Sequence, residues 1–205
     1  IIRPMHLLVP FAAPLPDAGR LAMRELALPN LAALLPQLAE TGRDEGEETS
    51  LSTPHERVLA RSLGLALADG LLPMAALEAA RAGVDVAGRA WARLTPVHWQ
   101  LGAERVALAD PAALALDEAQ SRALFEAVRE LFESEGFELR WLAPTAWMAS
   151  HPSLAELPSA SLDRAIGRHV DAWLRPDPRA RLLRRLQNEV QMLLYTHPLN
   201  TEREA

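Results

Sequence analysis

"LDEAQSRALFEAVRELFESEGFELRWLAPTAWMAS", residues 116–150, is the stretch whose reading decides the fold. Asp117 and Gln120 stand three residues apart, the order in which a side chain caps a helix start and the third helical residue reaches back to it. Leu124, Phe125, Val128, Leu131 and Phe132 then recur at i, i+1, i+4, i+7 and i+8, which places them on one helical face, and Gly136 follows as a stop. From 137 to 150 the pattern changes to alternation, predicting two strands joined around Pro144. A helix feeding directly into a hairpin makes this an α/β or α+β chain: a mixed sheet of about five or six short strands with helices packed on it.

On the amino-terminal side, "RAWARLTPVHWQ" and "ERVAL" read as two strands flanking a turn at Gly102. This places His98 and Trp99 on opposite faces of a strand. Tryptophans 91, 99, 141 and 147 all fall in predicted strands and are expected to fill the core. Earlier still, "MHLLVPF" (5–11) suggests a buried first strand with Met5 as the native start, leading into a helix from Asp17 to Leu26. "LPNLAALLPQLA" fits a second short helix, and "ETGRDEGEETSLS" (40–52), acidic and almost free of apolar residues, reads as a mobile loop. Thr53, Pro54 and Glu56 stand in the order of cap, first helical proline and capping-box acid, with Gly70 as the expected end of that helix. A further helix spans 74–82.

Towards the carboxyl terminus a short helix is expected at 161–169 and a long one from about Ala180. In the latter Leu182, Leu183, Leu186, Val190, Leu193 and Leu194 form one apolar stripe, and Pro198 limits it because the residue before a proline avoids the helical region. The expectation is one domain, 1–205, with a subdomain boundary near 84–91.

Composition narrows the function classes. At 205 residues a single core can bury roughly 70% of the unfolded surface. Without cysteine there are no disulfides, thiol nucleophiles or thiolate metal sites, and all 21 of the basic Lys and Arg positions are arginine, so a catalytic lysine is excluded. A net charge of −6 with both signs interspersed argues against nucleic acid as a partner. The apolar opening is broken by Pro10, Pro14 and Pro16, so a membrane span is not expected and the cytoplasm is the default location. No glycine-rich phosphate loop, HExxH pair or GxSxG elbow occurs. No cofactor and no metal are expected, and the balance leans away from an enzyme.

The candidate site lies at the end of the last helix. In "LLYTHPLNTER", His197, Asn200 and Arg203 are polar groups able to line an anion pocket, against the plainer reading of a helix exit. His98 is a further binding candidate beside Trp99. Ser52, Thr53, His55 and Glu56 are weaker candidates for a hydroxyl, imidazole and carboxylate arrangement, and Thr53 is already explained as a cap.

The segments "RLTPVHWQLGAERVALAD", "LDEAQSRALFEAVRELFESEGFEL", "SLDRAIGRHV" and "LLYTHPLNTER" resemble the insertion domain of archaeal-type cofactor-independent phosphoglycerate mutases over roughly residues 91–204. With "LLVPFA", "LPNLAALL", "LSTPHERVLARSLGL" and "RRLQNEVQMLLYTHP", the whole chain resembles the bacterial regulatory proteins of the RpfE type. The mutase resemblance implies a two-metal phosphoryl-transfer scaffold, in which paired cations stabilise both attacking and leaving oxygens. The chain departs from that pattern where it matters. "FAAPLPD" stands in place of the metal-binding Asp turn, "LSTPHE" in place of the serine nucleophile with its Asp, and the half carrying the Asp and His ligands does not occur within these residues. Whether the chain continues past Ala205 stays open. What the resemblance leaves is a substrate-facing cap, with Arg93, Arg168 and Arg203 as anion contacts. It therefore implies a non-catalytic regulatory or ligand-binding protein whose partner is a small phosphorylated metabolite or a protein. The alternatives are a mutase-like isomerase or phosphatase needing parts from elsewhere, and a protein interaction module that docks through the acidic loop.

Overall fold

The computed structural model describes residues 7–10, 17–101, 106–173 and 177–204. The chain divides into two compact units, residues 1–48 with 53–66 and residues 49–52 with 67–205. The 84–91 segment lies inside the second. Helices and short antiparallel strands together make a mixed α/β chain.

The first unit is helical. α1 (Asp17–Arg24) and α2 (Pro29–Leu34) are followed by a 3-10 turn, Leu35–Gln37, and α3 (Pro54–Ser62). The first strand expected over 5–11 does not form in its described part: residues 7–10 are not extended in a ladder, and Leu7 and Val9 stand exposed. Met5, His6 and Phe11 lie outside the described residues. An apolar run becomes a strand only where a neighbour takes its amides, and Pro10 has none to give. α3 begins as the sequence predicts, with the reciprocal Thr53–Glu56 capping box in place. It ends at Ser62 rather than at Gly70, because Gly64 already supplies the left-handed turn, at φ 73°. The acidic loop has no regular structure over 41–47, yet it is tied down. Asp44 accepts from Arg57 Nη2 at 2.6 Å and from Arg61 Nη1 at 2.5 Å.

The second unit holds the sheets. α4 (Met74–Arg81) precedes β1 (Trp91–Leu94), β2 (Trp99–Leu101) and β3 (Val106–Leu108). The single strand expected in "RAWARLTPVHWQ" is broken, so β1 and β2 belong to different sheets. Pro96 sits in the break, where it offers no ladder donor. α5 (Glu118–Ser134) carries the predicted Asp117–Gln120 capping box and is closed two residues on by Gly136 in the left-handed region, φ 85°. β4 (Glu138–Ala143) and β5 (Ala146–Ser150) then form the expected hairpin through Pro144 and Thr145. β5 is central in a three-stranded antiparallel sheet ordered β1-β5-β4, while β2 and β3 pair separately.

Register explains which face is buried. Leu94 pairs with Trp147, and Leu139 with Ala149, so these residues share a face. That face packs on Phe125, Val128 and Phe132 of α5, and Leu186 of α7 (Arg181–Tyr195) completes the cluster. At the centre of the unit the Ser121 hydroxyl, fully buried, donates to the Pro144 carbonyl at 2.8 Å and accepts from the indole Nε1 of Trp141 (2.9 Å) and of Trp147 (3.1 Å).

The helix expected over 161–169 is reduced to α6 (Leu162–Ala165). The following residues bridge to β3 instead: Gly167 N donates to Leu108 O at 2.9 Å, and Ile166 and His169 form isolated bridges with Leu108 and Ala107. Backbone groups taken by a strand edge cannot continue a helix. The long helix ends before Pro198 as expected, α7 stopping at Tyr195, and a short further helix, α8 (Pro198–Glu204), starts with that proline in the first position, where a missing N–H costs nothing.

Candidate functional site

The α7–α8 joint is built by its own polar side chains. Thr196 Oγ1 donates back to Leu193 O at 3.2 Å, and His197 N to Leu194 O at 3.2 Å, closing the α7 carboxyl end. His197 Nδ1 accepts from Leu199 N at 3.3 Å, so the imidazole serves as a cap at the start of α8. Asn200 N donates to His197 O at 2.9 Å, and its side-chain amide reaches Tyr195 O at 3.4 Å. His197 and Asn200 are thus brought together, and both bond the backbone. The side chain of Arg203 lies outside the described residues.

The remaining arginines and His98 do not join them. Arg93 alternates with core-facing Leu94, so it leaves β1 on the face away from α5, where it meets Glu78 of α4 at 3.3 Å and the Thr145 carbonyl at 3.2 Å. His98 is exposed just before β2, and its carbonyl accepts from Ala109 N at 2.9 Å. It therefore does not lie in a strand opposite Trp99. Arg168 is half-buried in the bridge segment after α6.

In the first unit Thr53, His55 and Glu56 do form a cluster. Thr53 Oγ1 is 3.1 Å from His55 Nε2, donates to Glu56 Oε2 at 2.9 Å and accepts from Glu56 N at 3.4 Å, while Glu56 Oε2 also takes Thr53 N at 2.7 Å. A nucleophile paired with a base requires a hydroxyl that can face a substrate. Thr53 is only 4% exposed and its hydroxyl holds the start of α3, so the arrangement is a helix cap with an imidazole beside it. Ser52, in the second unit, is equally enclosed: its N donates to Asp69 Oδ1 at 2.8 Å and its hydroxyl accepts from Gly70 N at 3.0 Å. Asp69 also takes Leu51 N at 2.7 Å, and Arg164 Nε reaches Ser50 O at 2.8 Å. Asp69 and Arg164 are clamps the sequence reading did not find. Only the Asp-Gly turn signal at 69–70 hinted at the first.

The electrostatics are those of tethering. The Arg57 guanidinium, with Arg61 behind it, holds the Asp44 carboxyl below its ordinary range. Arg179 does the same to Asp177. Asp177 borders an open depression of about 300 Å³ with Pro178, Arg181 and Arg184, so an acid shares that basic surface. Among the described residues, no group of three histidines or carboxylates is placed to hold a metal ion.

Two features absent from the candidate residues are apolar. An open groove of about 580 Å³ runs along α5 and α7, lined by Leu131, Asn188, Glu189, Met192, Leu193 and Thr196, with Met192 largely exposed. In the first unit, residues 20–43 are exposed throughout, leucines included. Among the described residues no helix is long and apolar enough to cross a membrane.

Fold and geometry define a class: a mixed α/β protein with a helix-capped antiparallel sheet and exposed apolar helices. Comparison with family models, with curated proteins and with solved structures returns no match.

Proposed function

We propose that this is a non-catalytic, cytoplasmic regulatory protein that acts by contact with a protein partner, on a scaffold related to the RpfE-type regulators and to the mutase insertion domain they resemble. The observation that carries the reading is the run of exposed leucines between residues 21 and 38, which water disfavours and a partner would cover. The polar candidates support it from the other side. Thr53 and His197 each bond the backbone of the helix start they cap, and Asn200 bonds the carboxyl end of α7.

The direct test is interconversion of 2- and 3-phosphoglycerate with added manganese. No turnover is expected, and turnover abolished by a chelator would end the proposal. A thermal-shift series with the same phosphoglycerates separates the metabolite reading: stabilisation lost in Arg203→Ala would move the function from a protein partner to a small anion.

A further inference from the structure

We propose that residues 40–48 form a strap that occupies α3 in place of a partner, and that the Arg57 and Arg61 pair under it takes an acidic peptide segment of that partner. The inference rests on the protein-contact reading and gives the partner's chemistry. Loop and helix belong to the same compact unit. Arg57 and Arg61 stand four residues apart, on one face of α3. Each takes one oxygen of Asp44: Arg57 donates to Oδ1 through Nε at 3.0 Å and Nη2 at 2.6 Å, and Arg61 Nη1 donates to Oδ2 at 2.5 Å. The pair therefore fits a carboxylate held between two guanidiniums. The strap's backbone fits as closely as its side chain, since a Cβ at Gly46, φ 64°, would overlap the Arg57 guanidinium. The side chains of Asp44 and Arg57 are only 13% and 18% exposed, so their charges meet where water screens them less than at an open surface.

The strap is held at few points, and the helix beneath it is held independently. Among the described residues, 39–46 make no backbone–backbone hydrogen bond. Residues 40–48 contain five acids and one arginine, so the strap repels itself. α3 carries its own supports, the Thr53–Glu56 box at its start and the Gly64 turn after its end, both outside the strap. The arginine pair thus keeps its place when the strap leaves, the condition for a preorganised site. An attached loop competes at an effective concentration on the order of a millimolar, so a free acidic segment at that level displaces it.

The probe is the pentapeptide DEGEE, the sequence of residues 44–48, blocked at both ends and without a basic residue for trypsin to cut. Added to wild type at several millimolar, it is expected to raise tryptic cleavage at Arg43 about tenfold over sodium chloride of equal ionic strength, and the peptide NEGEE is expected to do no more than the salt. Fluorescein-labelled DEGEE is expected to bind Asp44→Asn about tenfold more tightly than wild type, because the resident carboxylate is gone, and to lose that binding in Asp44→Asn/Arg57→Gln/Arg61→Gln. The wild-type cleavage experiment decides the matter if the triple variant loses helicity. Cleavage no faster with DEGEE than with salt, equal acceleration by NEGEE or by inorganic phosphate, or equal binding by wild type and Asp44→Asn would overturn the proposal. Failure of the strap without mutase turnover would leave the non-catalytic reading standing, and turnover would remove that reading without touching the strap.

Discussion

α3 and α5 start with the same device and come to different ends. Each opens with a reciprocal capping box, Thr53 with Glu56 in one and Asp117 with Gln120 in the other. Yet α5 buries Ser121, Phe125, Val128 and Phe132, while α3 buries Ala60 alone and leaves Val58 and Leu59 exposed, with Leu63 exposed just after it. A cap satisfies orphan amides wherever it occurs, worth about 1 kcal/mol; a core requires a second surface arriving from elsewhere in the chain. α5 has that surface in β4, β5 and α7. The contrast teaches that local grammar and burial are separate contributions, and that the two units of this protein divide along that line.

The strongest way to break the comparison is to empty the core side of it. Phe125→Ala removes a ring 4% exposed, in edge contact with Trp147, and is expected to cost about 3–5 kcal/mol in urea unfolding of the second unit. Its counterpart Leu59→Ala in α3 should stay within about 0.5 kcal/mol, and equal losses would show that α3 has a core after all. Next comes Ser121→Ala, which leaves the indole N–H groups of Trp141 and Trp147 unpaired. About 2–3 kcal/mol and a changed near-ultraviolet tryptophan signal are expected.

The caps sharpen the comparison instead. Asp117→Ala and Thr53→Ala should each cost about 1 kcal/mol of helix stability despite the difference in burial, read by hydrogen exchange at the first turns of α5 and α3. The smallest effect is expected at the acidic loop, where Asp44→Asn should release 40–48 and speed tryptic cleavage at Arg43, at a cost of about 1 kcal/mol or less. Because the folded Asp44 carboxyl sits below its unfolded value, its contribution is present above the unfolded value near pH 4 and disappears as pH falls through the folded one. Amide exchange in 40–48 that stays flat across that acid range would show that the arginines do not hold the loop.

Legibility followed the range of the interaction. The capping boxes, the 137–150 hairpin and the helix stop at Gly136 were readable because each is made by residues a few positions apart. The broken strand at Pro96, the diversion of 166–169 onto β3 and the missing ladder at 7–10 were not, since all depend on whether a distant edge takes or withholds backbone bonds. In the candidate site, residue types showed that His197 and Asn200 could bind an anion. The bonds they make instead, to Leu199 N and Tyr195 O, are local ones at the α7–α8 joint, in keeping with the plainer reading of a helix exit.

By itself, then, the sequence determined the mixed α/β class, the helix starts and the absence of thiol and lysine chemistry, all properties of composition and short spacing. Only the tertiary structure decided that Asp69 and Arg164 clamp the 50–52 segment, that one serine hydroxyl joins two indoles, and that the leucines of 21–38 stay uncovered. The reason is physical: a hydrogen bond between near neighbours is set by backbone geometry, whereas burial is a property of two surfaces and exists only when the chain has brought them together.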